Sequence, residues 1–97
     1  MKAKRKGSRQ ELKSIKLLEA AGHYCTKAGG SLGVFDIIAL HKTGVRCIQV
    51  KSNCWPGPTE RESMAATRCN IPDNATIECW RWNDYKRKPM IKLIEEF

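Results

Sequence analysis

Two apolar runs face each other across a short polar break near the middle of the chain. The first is Phe35-Asp36-Ile37-Ile38-Ala39-Leu40 and the second is Val45-Arg46-Cys47-Ile48-Gln49-Val50-Lys51, with His41-Lys42-Thr43-Gly44 between them. Both runs are rich in β-branched and aliphatic residues, and Gly44 can take positive φ, so the pattern predicts a β-hairpin. A turn made of Lys42 and Thr43 places Asp36 opposite Gln49, whereas a bulge at Gly44 shifts the register by one residue. Side chains alternate along a strand, so Lys51 projects from the same face as Gln49. An acid, an amide oxygen and an amine thus gather at the open end of an apolar hairpin.

The remaining segments follow from periodicity and punctuation. A helix is predicted from about Arg9 to Ala21, with Ser8 as N-cap and Gly22 as its stop. Its apolar stripe is formed by Leu12, Ile15, Leu18 and Ala21, and Glu11 falls on that stripe rather than opposite it. Ser8-x-x-Glu11 also fits a capping box, in which Glu11 bonds back to the Ser8 backbone. His23 to Lys27 reads as a strand, and Ala28 to Gly33 as a loop with three glycines around Ser31. After Lys51, Trp55-Pro56-Gly57-Pro58 is a loop, and Thr59 with Glu62 opens a second helix through another capping box. That helix runs to about Cys69, with a thin apolar face of Met64, Ala65, Ala66 and Cys69. Ala75 to Trp82 alternates as a strand, with Ala75, Ile77 and Cys79 on one side and Thr76, Glu78, Trp80 and Trp82 on the other. A polar loop over residues 83–89 leads to a last strand at Met90 to Ile94. The order helix, three strands, helix, two strands predicts an α/β fold with a central five-stranded mixed sheet flanked by helices.

Composition narrows the function. The 97 residues make a single domain, 1–97, with a small core that a dimer would enlarge. Lys and Arg number 18 against 10 Asp and Glu, a net charge of +8, which favours an anionic partner such as nucleic acid. Lys2, Lys4, Arg5 and Lys6 form a basic N-terminal arm at 1–6, read either as a solvated tail or as an arm that tracks phosphates. No apolar run approaches the ~20 residues of a membrane span, and no apolar segment follows the basic amino end. The expected setting is intracellular, cytoplasmic or nucleoid-associated, with no membrane partner. Five cysteines, with no Cys-x-x-Cys pair, point to reduced thiols rather than disulfides or zinc. Trp80, Trp82 and Tyr85 suit a base-stacking platform, a core or a subunit interface, and the interface is the expected use.

An Asp, a short hairpin and then Gln49-Val50-Lys51 resembles the active-site pattern of the PD-(D/E)XK nuclease superfamily. Lys6-Gly7-Ser8-Arg9-Gln10-Glu11, followed by Ile15-Lys16-Leu17-Leu18, is similar to the first helix of its Holliday-junction resolvase branch. Ala28-Gly29-Gly30-Ser31 is similar to that branch's glycine-serine loop. The resemblance runs from Lys6 to Asn53 and departs from the family at two positions. Phe35 stands where Pro is often found, and Gln49 where Glu is usual, although some restriction endonucleases of the superfamily carry Gln there.

The resemblance implies a restriction-endonuclease-like fold and a homodimeric, Mg²⁺-dependent DNA endonuclease of DNA recombination, with Mn²⁺ as a substitute metal. It implies catalytic roles for Glu11, Asp36, Gln49 and Lys51. Asp36, Gln49, the Val50 carbonyl and Glu11 would hold the metal, and Lys51 would orient the water or hold the scissile phosphate. Lys4, Arg5, Lys6, Arg9, Lys27 and Ser31 would contact DNA, which includes branched DNA. An alternative is a catalytically weak or inactive nucleic-acid-binding module on the same fold, because Gln49 removes a charge from the metal site. A third reading, a basic interaction protein with no site, predicts that Asp36→Ala changes stability alone.

Overall fold

A computed structural model describes the backbone of residues 2–28 and 34–97, with side chains described for 9–28 and 34–97. Helix α1 spans Lys2–Ala20, followed by β1 at Tyr24–Lys27, β2 at Ile37–His41 and β3 at Gly44–Ser52. Helix α2 spans Pro58–Ala66 and leads through a 3-10 turn at Thr67–Asn70 into β4, Ala75–Trp82. Strand β5, Met90–Leu93, precedes a final 3-10 turn at Ile94–Glu96. The strands form one five-stranded mixed sheet in the order β1-β2-β3-β4-β5. Among the described residues only β3 and β4 pair in parallel, and α2 makes the crossover that a parallel pair requires.

The hairpin register is the one a two-residue turn dictates. Ile37 lies opposite Ile48 and His41 opposite Gly44, so Lys42 and Thr43 are the turn and no bulge intervenes. Gly44 has φ +156, and a Cβ there would lie 2.4 Å from the Asn74 carbonyl oxygen. Only glycine lets the start of β3 come this close to the turn ahead of β4.

The two helices cover opposite faces of the sheet. On one, Leu18 of α1 packs with Ile37, Ala39, Ile48 and Trp80. On the other, Met64 of α2 packs with Phe35, Cys47, Ile77 and Cys79. Burial of each large side chain stabilises the fold by about 2 kcal/mol.

Several local expectations are corrected. Helix α1 begins at Lys2 rather than Arg9, so Ser8 lies within it and is not its N-cap. Lys, Ala and Arg are good helix formers with no proline among them, so the basic run 2–6 belongs to the helix backbone. The buried line of α1 is Gln10, Ser14 and Leu18, whereas Leu12 is exposed. Trp82 accounts for Ser14 on that line: its Nε1 donates to Ser14 Oγ at 2.8 Å, so a buried indole N–H and a buried hydroxyl satisfy each other. Ser14 in turn donates to the Gln10 carbonyl at 2.8 Å.

Trp80 and Trp82 are core residues rather than an interface or stacking surface. Both faces of β4 are covered, as befits a strand paired in parallel, so its alternation does not separate inside from outside. On α2 only Met64 is buried, and Ala65, Ala66 and Cys69 are exposed. Its N-cap is Gly57, and Glu60 rather than Glu62 bonds back to the cap. All five cysteines are free thiols, and burial pushes Cys79 up to about 11.

Candidate active site

Asp36 sits just before β2 and is fixed by its own backbone. Its N–H donates to the Ile48 carbonyl at 2.8 Å, and its carbonyl accepts from Ala28 N–H at 2.9 Å. Strand β3 therefore pins Asp36 from one side and the residue just after β1 from the other. Its carboxylate Oδ2 accepts from the Val50 N–H at 2.8 Å. In a strand the N–H and C=O of one residue lie on the same side, so the Val50 carbonyl is also turned toward Asp36.

Gln49 and Lys51 lie on the α2 side of β3, as alternation requires, and there they meet a residue that sequence reasoning did not select. Glu60, in the first turn of α2, accepts from Lys51 Nζ at 3.0 Å and from Gln49 Nε2 at 3.3 Å through Oε2. Its Oε1 accepts from the Gly57 N–H at 3.3 Å. A carboxylate in a first helical turn reads locally as a cap and dipole partner. Glu60 does that work and also reaches the sheet. The signal available in sequence was the proline-glycine loop over residues 55–58, short enough to fold α2 back over β3.

The electrostatics follow from this crowding. Burial pushes the Asp36 carboxyl above the usual range; the Val50 N–H and Lys51 oppose the shift, and Glu60 adds to it. Glu11 is also raised, by burial first and then by the charge of Asp36, with Lys27 pulling the other way. Two acids from different elements thus feel each other across the end of the sheet. Glu60 is held below the usual carboxylate range, chiefly by its hydrogen bond from Lys51.

The donors gathered here are oxygens. Gln49 is 6% exposed, and its Oε1 is buried without a protein donor, while its NH₂ is taken by Glu60. A buried amide oxygen beside a carboxylate and a backbone carbonyl suits a hard divalent cation. Among the described residues, no three or more His, Cys, Asp or Glu side chains are arranged to hold a metal ion. The set is short of carboxylates where the strand carries Gln49.

Of the residues expected to touch DNA, Arg9 is exposed on α1 and Lys27 is exposed at the end of β1 beside Glu11. The side chains of Lys4, Arg5 and Lys6, and all of Ser31, lie outside the described residues. Among the described residues no helix is long and apolar enough to cross a membrane.

A second buried acid lies on the opposite layer. Glu78 of β4 takes a bidentate pair from Arg46, at 2.8 Å and 2.7 Å, a bond from Trp80 Nε1 at 2.9 Å, and one from Thr76 Oγ1. Burial alone would raise its pKa, but the hydrogen bonds from Arg46, Thr76 and Trp80 win and hold it low. Arg46, Thr76 and Trp80 thus pair the buried carboxylate and tie β3 to β4.

No family model matches the chain, and no curated protein matches it in sequence. Among solved structures, the chain is similar to Archaeoglobus fulgidus Hjc, a Holliday junction resolvase from an archaeal hyperthermophile. The TM-score is 0.77 at 19% identity, and the match covers 93% of this chain and 74% of the resolvase chain. At that identity the likeness is one of fold: the five-stranded mixed sheet and its two helices match those of that structure.

Proposed function

We propose that the chain is a metal-dependent DNA endonuclease of the resolvase kind, acting on branched DNA. The observation that carries the proposal is the Asp36–Val50 hydrogen bond. It brings an acid from before β2 onto the very strand that carries Gln49 and Lys51, at the end of a resolvase-like sheet.

In this reading Asp36 is the principal oxygen donor to Mg²⁺, with Mn²⁺ as a substitute. Gln49 Oε1 and the Val50 carbonyl complete the donors borne by the strand, and Glu11 adds a direct or water-mediated contact. A bound ion would supply charge relief at the phosphate and a more acidic water. Lys51 would orient the attacking water or hold the scissile phosphate, and Glu60 positions Lys51. Arg9, Lys27 and the basic residues of α1 hold the DNA backbone. Paired cuts in a junction call for a homodimer. The test is cleavage of four-way, flap and linear DNA side by side in Mg²⁺. Cleavage of the branched substrates that Asp36→Asn abolishes supports the reading, and junction cleavage undiminished in that variant rejects the site.

One observation favours a second reading. Glu60 occupies both the Gln49 NH₂ and the Lys51 ammonium, which suits a module that binds branched DNA without cutting it. Retained junction binding with no cleavage in either Mg²⁺ or Mn²⁺ would select that reading.

A further inference from the structure

The loop from β4 to β5 reads Asn83-Asp84-Tyr85-Lys86-Arg87-Lys88-Pro89, an aromatic followed by three cations. It is an ordered structure. Asn83 Oδ1 accepts from Arg81 Nε at 2.8 Å, and the Lys86 N–H donates to the Asn83 carbonyl at 3.2 Å. The Asp84 N–H donates to Asn53 Oδ1 at 2.9 Å, and the Asn53 N–H donates to the Trp82 carbonyl at 2.9 Å. The loop is thereby clamped to the segment that leaves β3 just past Lys51.

Asn53 and Tyr85 are the non-glycine residues with left-handed backbone among those described, at φ 61 and φ 67. Asparagine tolerates this conformation, but for tyrosine it is strained. Packing does not explain the strain, because Tyr85 is fully exposed, at 103%. A large ring is held outward, in a costly conformation, on a loop that is otherwise tied down. Strain of this kind concentrates at binding sites.

A pocket opens between the loop and α1, lined by Arg9, Lys13, Asn83, Asp84, Tyr85 and Lys86. Three cations face one carboxylate there. Gln10 lines the same pocket and leaves its buried Oε1 without a protein donor. The pocket lies toward the same end of the sheet as the candidate active site. Strands β3 and β4 run parallel with Lys51 opposite Arg81, so the loop leaves from the same end of the sheet as Lys51. Arg9 and Gln10 immediately precede Glu11.

We infer that this loop and residues 9–13 of α1 form a second DNA contact, in which Tyr85 stacks on an unpaired or unstacked base and Arg9, Lys13 and Lys86 neutralise the flanking phosphates. The inference rests on the nuclease reading for its choice of DNA. Charge selects a polyanion over a second copy of the chain, since two such loops would repel each other. The contact would recognise branched or partly unpaired DNA, because a paired duplex offers no free base face away from its ends.

The test uses the full chain in metal-free buffer, with binding measured by fluorescence anisotropy on a four-way junction, a duplex with an unpaired loop, and the matching linear duplex. Tyr85→Gly is expected to weaken binding to the first two roughly tenfold and to leave the linear duplex unchanged. Glycine accepts the left-handed backbone, so the melting temperature should not fall. Tyr85→Phe should bind as wild type. Lys86→Ala should reduce the salt slope of log affinity by roughly 0.9, the value for one phosphate contact. Wild-type affinity of Tyr85→Gly for every DNA overturns the inference while leaving the nuclease reading intact. A change in sedimentation of Tyr85→Gly in the absence of DNA overturns it in favour of a protein contact. Failure of the wild-type chain to bind any of the three DNAs overturns both readings.

Discussion

Glu60 and Lys51 meet at 3.0 Å, joining the first turn of α2 to the strand that bears the candidate site. Both side chains are partly exposed, at 41% and 27%, so the pair contributes less than about 1 kcal/mol to stability. Its value is positional. Glu60→Gln should leave the melting temperature nearly unchanged and lower single-turnover junction cleavage about tenfold to a hundredfold, as a misplaced reacting group does. A cleavage rate equal to wild type would reduce Glu60 to a helix cap.

Asp36 should behave as a group whose placement costs stability. Its folded pKa is raised, by burial before all else, above the ordinary value of 3.8. A carboxyl raised in this way contributes stability below its unfolded pKa that is lost as pH rises through the folded one. Ionised Asp36 therefore destabilises the metal-free protein at neutral pH, and Asp36→Asn should raise the melting temperature there. The gain should vanish below about pH 4, where both proteins carry an uncharged group. Asn keeps the acceptor for the Val50 N–H, so DNA binding should persist or tighten while cleavage is lost. Protons compete with the cation for Asp36 and Glu11, so the acid limb of the cleavage profile should move to lower pH as Mg²⁺ is raised. Calorimetry and a pH–rate profile check the two halves separately.

Gln49→Glu places a second carboxylate against Glu60, whose Oε2 now accepts from the Gln49 NH₂ at 3.3 Å. Without metal the variant should melt below wild type, since a hydrogen bond becomes a repulsion. With Mg²⁺ it should recover more than wild type gains, because an added charge strengthens binding of a hard cation. It should also need less Mg²⁺ for half-maximal cleavage. Melting curves across a Mg²⁺ titration decide this, and an identical metal response in both proteins would place Gln49 away from the ion.

Glu78 gives the opposite sign on the opposite layer. Its pKa is held low by Arg46, Thr76 and Trp80 against the pull of burial. The stability it contributes is present above the ordinary carboxylate value and is lost as pH falls through the depressed one. Glu78→Gln should cost about 3 kcal/mol, the low end for a broken buried pair because Arg46 is 28% exposed. Cleavage per folded molecule should be unaffected. Denaturant titrations at neutral and acid pH measure the loss and its disappearance.

The sequence by itself determined whatever depends on neighbours along one or two strands. The two-residue turn fixes the register that puts Ile37 against Ile48, and alternation then sends Gln49 and Lys51 to one face. The limits of β4, at Ala75 and Trp82, were also legible, because turn residues precede it and a polar loop follows. Alternation failed within β4 because parallel pairing between two helical layers buries both faces, and Glu78 is buried there only because Arg46 from β3 lies beside it. The buried line of α1 was equally hidden. Ser14 is chosen by Trp82, a residue far along the chain, and not by any period of the helix. Glu60 is the sharpest case. Its position in sequence says only that a helix begins, and its contact with Lys51 exists because the Trp55–Pro58 loop folds α2 back across β3. Local patterns encode which way a side chain faces; only packing of the layers decides what it meets.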